Sequence, residues 1–220
     1  MKFFLDSAKI KEIEDCESFG IIDGVTTNPS LIAHSGHNNL LEVVKNICGI
    51  MSHRPVSVEV VSVDYSNMLK EAEKLASLAD NVVVKLPCTD NGIKVCSYLS
   101  KHNIKTNITL CFSALQALVA AKVGATYISP FVGRLDDIHQ DGLNLISEIR
   151  NIYDNYNFKT EILAASIRNH YHLLHVAKIG ADIATISPQI LKTILNHPLT
   201  SSGLEKFIAD WENSGQNLTI

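Results

Sequence analysis

The chain has no C-x-x-C pair. Its five cysteines (Cys16, Cys48, Cys88, Cys96 and Cys111) are odd in number and scattered. That excludes a disulfide framework or the usual zinc spacing and fits reduced thiols in a cytoplasmic protein. There is also no excess of one charge. A formal net charge of -4 over 220 residues excludes nucleic acid or an anionic membrane held by a global field, so an anionic ligand must rely on a few placed cations. No apolar run approaches the length of a transmembrane helix. The opening Met1-Lys2-Phe3-Phe4-Leu5-Asp6 meets an acid too soon for a signal peptide. The G-x-G-x-x-G turn of doubly wound dinucleotide folds is missing, and so are hairpin turn signals.

What is present is a globular composition, 46% apolar and 19% charged, long enough for one substantial core. Residues 1–220 are expected to form one domain. Short apolar runs alternate with segments of helical period. The expected strands are Phe3–Leu5, Gly24–Thr27, Val56–Val61, Val82–Leu86, Ile104–Leu110, Tyr127–Ser129, Glu161–Ala165 and Ile183–Ile186. Between them, sets such as Met68, Leu69, Ala72 and Leu75 recur at helical spacing. Asp6-Ser7 reads as an N-cap, Ser113-Ala114-Leu115-Gln116 as a capping box, and Ser187-Pro188 as a cap with proline at the first helical position. Ala121-Lys122-Val123-Gly124-Ala125 echoes Ala177-Lys178-Ile179-Gly180-Ala181, each a helix closed by glycine before a strand. Eight strand–helix units predict an α/β fold, a closed parallel (β/α)8 TIM barrel. An amphipathic helix over 200–213, with Leu204, Phe207, Ile208 and Trp211, lies beyond the eighth unit and is expected to pack on the barrel or on a neighbouring subunit.

Val82-Val83-Val84-Lys85-Leu86-Pro87 is the most informative stretch. Three β-branched residues read as a buried parallel strand, and a lysine at its end is out of place. A rim lysine whose stem covers apolar surface would explain it on this stretch alone. An amine held in a dry pocket would explain it too. At pH 7 an ordinary lysine, with a pKa of about 10.4, is neutral in roughly one molecule in a few thousand, and a nucleophilic amine needs about 4 kcal/mol of help. The other strand ends separate the two readings. They carry Asp6, Thr26 and Asn28, Glu59, Asn107 and Thr109, Ser129, Ser166 and Arg168, and Ser187, with Arg134 in the loop after the sixth. Two carboxylates, hydroxyls, amides and cations at the C-terminal ends of barrel strands suit imine chemistry with proton shuttling. Two ionised acids beside the amine would oppose its neutral form, so at least one should be held away or bridged by water.

Asp6, Val25-Thr26-Thr27-Asn28-Pro29-Ser30, Val82-Val83-Val84-Lys85-Leu86-Pro87, Asn107-Ile108-Thr109, Ser129-Pro130-Phe131-Val132-Gly133-Arg134 and Ala165-Ser166-Ile167-Arg168 together resemble the transaldolase family. The length is similar to its small subclass, which also includes the fructose-6-phosphate aldolases. The resemblance implies a Schiff base between Lys85 and the dihydroxyacetone part of a ketose phosphate. Asp6 would be the general acid/base, and Glu59 and Thr109 would hold a catalytic water. Thr26, Asn28, Asn107, Ser129 and Phe131 would contact the substrate, and Arg134, Ser166 and Arg168 its phosphate. It implies sugar-phosphate partners, no cofactor, no metal, and a ring-shaped homo-oligomer, pentamer or decamer. The aldolases typically carry glutamine where this chain has Glu59 and tyrosine where it has Phe131, so the resemblance favours transfer over simple cleavage. Ile167 stands where an aromatic is common. A non-catalytic sugar-phosphate-binding barrel is a third reading, disfavoured by the buried amine and its two acids.

Two other signals carry less. His170, His172 and His175 do not share a helix face with a carboxylate partner. Asp136-Asp137 reads as a solvated loop and cap rather than a metal pair.

Overall fold

The computed structural model describes residues 1–36 and 39–217; the other positions of the expected 1–220 domain lie outside them. β1 (Lys2–Asp6) leads to α1 (Ile10–Glu17), and β2 (Gly24–Thr26) to α2 (Pro29–Ala33) and α3 (Leu40–Met51). β3 (Val56–Glu59) leads to α4 (Tyr65–Ala76), β4 (Val82–Pro87) to α5 (Asp90–Lys101), and β5 (Thr106–Cys111) to α6 (Ala114–Lys122). β6 (Tyr127–Pro130) is followed by α7 (Val132–Asp136) and α8 (Gly142–Tyr156), and β7 (Glu161–Ala164) by α9 (His170–Ile179). β8 (Ile183–Ile186) precedes α10 (Pro188–Thr193) and α11 (Pro198–Ser214). The strands pair in parallel and in sequence order, and β1 closes the barrel against β8 with Phe4 opposite Thr185.

Inside the barrel two layers follow from the two-residue period of a strand. Phe4, Val83, Tyr127, Leu163 and Ile183 form an apolar cluster separate from the larger core beneath the helices. The rings of Phe4 and Tyr127 meet edge to face at 5.9 Å. Two residues further along the same strands come Asp6, Lys85, Ser129, Ala165 and Thr185. The polar set at the C-terminal mouth therefore rests on a dry floor made by the same strands. Gly24 makes room for that floor, since a Cβ there would sit 2.7 Å from the Phe4 ring.

Most helix starts are fixed as the sequence indicates: Ser187 Oγ accepts from Ile190 N, with Pro188 at the first position. Gly124 and Gly180 take left-handed φ values of 83° and 96° behind their helices, a conformation that costs glycine nothing. Three expectations need correction. Asp6-Ser7 is not an N-cap: Asp6 ends β1, and α1 begins after Lys9 without a side-chain cap. Ser7 Oγ instead accepts from Lys9 N and donates to Glu12. The capping box is displaced by one, because Gln116 reaches back to Phe112 N rather than to Ser113 N. The long loop after β6 contains a helical turn, α7, which no apolar period announces.

The C-terminal helix runs over Pro198–Ser214 and buries none of its residues. Leu204, Phe207, Ile208 and Trp211 are exposed. Among the described residues no helix is long and apolar enough to cross a membrane.

Gly24→Ala is expected to lower stability by about 1–3 kcal/mol through overpacking, read by urea unfolding. Adding Phe4→Leu should make the pair cost less than the sum of the singles. Additive costs would show that the floor is not tightly packed at this point.

Candidate active site

Strand register assembles the site. Glu59, Lys85 and Asn107 stand side by side on β3, β4 and β5, and Asp6 stands beside Thr26 on β1 and β2. A cavity of about 130 Å³ opens at this end, with Asp6, Thr26, Asn28, Lys85, Ser129, Phe131, Arg134 and Ser166 in its wall. These are eight of the twelve residues singled out from the sequence. Of the other four, Glu59, Asn107 and Thr109 are tied to or lie beside that wall, and Arg168 is turned elsewhere.

Lys85 is only 5% exposed. Its Nζ lies 3.1 Å from Glu59 Oε2 and donates to the Thr27 carbonyl at 3.0 Å. Among the described residues Glu59 is the carboxylate within ion-pair distance of the amine, and Asp6 is held further off. One acid is thus at contact with the amine and the other is set back. Asp6 Oδ1 instead accepts from Thr26 Oγ1 at 2.7 Å, and that hydroxyl lies 2.6 Å from Thr185 Oγ1. Burial pushes the Asp6 carboxyl above its ordinary value, against the hydrogen bond from Thr26 and the charge of Lys85.

A relay of amide and hydroxyl groups crosses the floor of the cavity. Ser129 Oγ donates to Asn107 Oδ1 at 2.7 Å, and Asn107 Nδ2 donates to Ser57 Oγ at 3.2 Å. Among the described residues Thr109 Oγ1 is buried without a hydrogen-bond partner, which is costly unless the group serves something that binds there. Asn28 also caps α2, its Oδ1 accepting from Leu31 N at 2.9 Å.

The opposite wall is cationic. The Arg134 guanidinium carbon sits 4.8 Å from the centre of the Phe131 ring, which packs edge to face on Phe112. Ser166 has a left-handed φ of 57°, uncommon for a residue with a side chain and found mostly where function holds it. Its carbonyl accepts from Gly133 N at 2.9 Å. A Cβ at Gly133 would lie 2.5 Å from that oxygen, so the close approach requires glycine. Arg168 makes a two-pronged pair with Asp137, Nη1 to Oδ1 at 2.8 Å and Nη2 to Oδ2 at 2.6 Å. Asp137 therefore has an ionic partner as well as a place in a loop.

Sequence reasoning missed Thr185, Ser57 and Asp137. Thr185 was findable, two residues beyond Ile183 on a buried strand; the last residue picked for β8, Ser187, is a helix cap beside a neighbouring chamber of about 420 Å³. A further cavity of about 450 Å³ lies at the N-terminal end of the barrel near Lys45, His53 and Asp80. Its buried polar group, Asn81, is already bonded to the carbonyls of Cys48 and Arg54. The three histidines go separate ways, His170 to Thr193 and His175 against the Tyr171 ring. Contrary to the sequence expectation, His172 does have a carboxylate partner, Asp136, brought to it from α7 rather than from its own helix. Burial raises the Cys88 thiol to about 11 and the Cys111 thiol to about 12, so both stay protonated near neutrality and are poor nucleophiles.

Fold and site define a (β/α)8 barrel with a buried lysine among acids, amides and hydroxyls at its C-terminal mouth. The chain belongs to the Transaldolase/Fructose-6-phosphate aldolase family, whose model matches residues 3–218. It is 56% identical over 218 residues to a "Probable transaldolase" of Bartonella henselae, covering 99% of this chain and 100% of that one. A "Probable transaldolase" of Geobacter metallireducens is 55% identical over 212 residues, 96% of this chain and 98% of its own. Among solved structures, a mandelate oxidase mutant with an FMN adduct matches with a TM-score of 0.59 at 12% identity. The match covers 86% of this chain and 65% of that one, and at such identity it speaks for the barrel alone.

Because the native carboxyl of Asp6 titrates above its unfolded value of about 3.9, the folded state binds more protons between the two values. Stability from this group therefore falls as pH rises through that window, and the deficit persists at neutral pH. Asp6→Asn should melt at the same temperature as wild type or higher at pH 7, with the difference vanishing near pH 3. A variant that melts lower at pH 7 would show that the Thr26 bond and the Lys85 charge outweigh burial.

Proposed function

We propose that this protein is a transaldolase. It moves a dihydroxyacetone unit from a ketose phosphate, sedoheptulose 7-phosphate or fructose 6-phosphate, to an aldose phosphate, glyceraldehyde 3-phosphate or erythrose 4-phosphate. The observation that carries this reading is the buried Lys85 amine in contact with Glu59 at the mouth of the barrel. Glu59 takes a proton from Lys85, and the neutral amine attacks the ketose carbonyl. The carbinolamine loses water as a water molecule held by Glu59 and Thr109 carries the protons, leaving an iminium. Asp6, whose burial favours holding a proton, accepts one from the C4 hydroxyl. The C3–C4 bond breaks, its electron pair enters the enamine, and the aldose leaves. The enamine carbon then attacks the incoming aldehyde, whose oxygen takes the proton back from Asp6, and hydrolysis frees the new ketose and the amine. Thr26, Asn28, Asn107 and Ser129 hold the three-carbon unit, while Arg134, Ser166 and Arg168 hold the phosphate.

Phe131 favours transfer. It offers no hydroxyl to protonate the enamine, so the three-carbon unit waits for an acceptor. The fructose-6-phosphate aldolase reading is the alternative, because the family covers both activities. The reaction suits the non-oxidative pentose phosphate pathway in the cytoplasm. The exposed apolar residues of α11 support a ring-type homo-oligomer in which this helix packs on a neighbouring subunit, and a single domain per chain fits the closed barrel.

Fructose 6-phosphate should yield sedoheptulose 7-phosphate only when erythrose 4-phosphate is supplied, read by coupled assay or mass spectrometry. Rapid release of free dihydroxyacetone without acceptor would replace this reading by the aldolase. Borohydride trapping with fructose 6-phosphate should add a three-carbon or six-carbon unit to the peptide containing Lys85. Lys85→Ala should abolish both adduct and transfer while the far-ultraviolet circular dichroism stays native; retained activity would remove the Schiff base from the mechanism.

A further inference from the structure

Two acids close α7, and each meets a base from the segment after β7. Asp136 Oδ2 lies 2.9 Å from His172 Nε2, and its Oδ1 accepts from Gly142 N at 3.2 Å. Asp137 grips both terminal nitrogens of Arg168. Arg134, on the same short helix, lines the cavity, whereas the Arg168 guanidinium is held by Asp137. Of the two guanidinium groups suited to a phosphate, one is aimed at the site and the other already holds a carboxylate. We propose that Asp137 is a specificity-determining residue, a built-in competitor with the substrate's phosphate for Arg168. This rests on the transaldolase reading above. Arg168 joins the phosphate grip only by exchanging one anion for the other.

The exchange is physically easy. A guanidinium fork fits a carboxylate and a phosphate by the same parallel pair of hydrogen bonds. Both partners are about half exposed, at 50% and 49% of the side chain, so water screens the pair and it breaks at little cost. A phosphate dianion attracts the fork more strongly than a single carboxylate. The backbone on either side need not move. Ser166 is tied to Gly133, and Asp136 with His172 keeps α7 against α9 whichever anion Arg168 holds. The Arg168 stem passes directly over Gly133, where a Cβ would lie 2.7 Å from its Cγ, so glycine leaves that path open. Asp137 thus weakens binding of every phosphate-bearing sugar by a fixed factor, and recaptures Arg168 as a phosphorylated product departs.

The test compares wild type with Asp137→Asn. The variant should show a KM for fructose 6-phosphate about two- to fivefold lower, the range expected for removing an exposed ion-pair competitor. The Ki for inorganic phosphate should fall by the same factor. KM for unphosphorylated fructose should stay the same, and Asp137→Glu should restore wild-type values. In an Arg168→Gln background the Asp137→Asn effect should vanish. A raised KM would make Asp137 a support that orients Arg168, and an unchanged one would remove Arg168 from the phosphate grip; either overturns the proposal. Asp137→Ser replaces the asparagine variant if that does not fold. Calorimetric binding of inorganic phosphate reads the same competition without turnover. A wild-type protein with no transfer to erythrose 4-phosphate would therefore defeat the transaldolase reading while the competition is still measured.

Discussion

The buried contact between Lys85 and Glu59 is the constraint on which the rest of the site depends. Burying an ammonium and a carboxylate is costly unless each finds the other with good geometry, and removing either partner strands a charge. The contact exists because Glu59 and Lys85 occupy matching positions on adjacent parallel strands. A slip of either strand by one residue would turn its side chain outward among the helices and break the contact. Closure of the barrel secures that register, since a closed sheet leaves no edge strand free to slide. The Thr27 carbonyl, just beyond β2, satisfies another of the amine's hydrogens. Three consecutive strands are thus committed to one nitrogen.

The same strands serve stability and chemistry at different depths. Phe4, Val83, Tyr127, Leu163 and Ile183 supply the dry layer, and the residues two further along supply Asp6, Lys85, Ser129 and Thr185. The floor stiffens the strand ends and excludes water from below, which holds the polar groups in fixed geometry. This is why a β-branched run can end in lysine: the valines are the mount and Leu86, on the opposite face, belongs to the core under the helices.

Most of the architecture was legible because it rests on local signals that tertiary structure did not override. The alternation of apolar runs and helical periods, the missing hairpin turns, and Gly124 and Gly180 all pointed to β/α units. Lys85 was visible as a charge inside a strand, and Glu59 as an acid inside another. Less was visible where one residue type serves two purposes. Asp6 looks like a helix cap because aspartate often is one, yet its side chain is taken by the barrel interior and Thr26. Asn28 is both cap and cavity wall. The Asp137–Arg168 pair joins positions far apart in the chain, and no period or spacing encodes it. α7 is too short to show a hydrophobic face. Thr185 went unnoticed because Ser187, with its proline, gave the louder signal at the same strand end.

The two carboxylates show how the fold assigns roles that residue type alone does not. Both are acids at strand ends facing one amine. Glu59 touches the amine, its Oε2 lying 3.1 Å from Lys85 Nζ. Asp6 is set back, bonded to a hydroxyl that is itself bonded to Thr185, and burial makes it readier to hold a proton. One acid touches the amine and the other is bonded to a hydroxyl behind it, so their surroundings differ. In the proposed reaction the acid held at the amine would manage the imine's protons, and the one held beyond it those of the carbon–carbon bond. On that proposal the substrate's reacting carbons would lie between the two, with the phosphate end toward Arg134. In the proposed reaction the position of this one ion pair would set the direction in which a sugar phosphate lies across the barrel mouth.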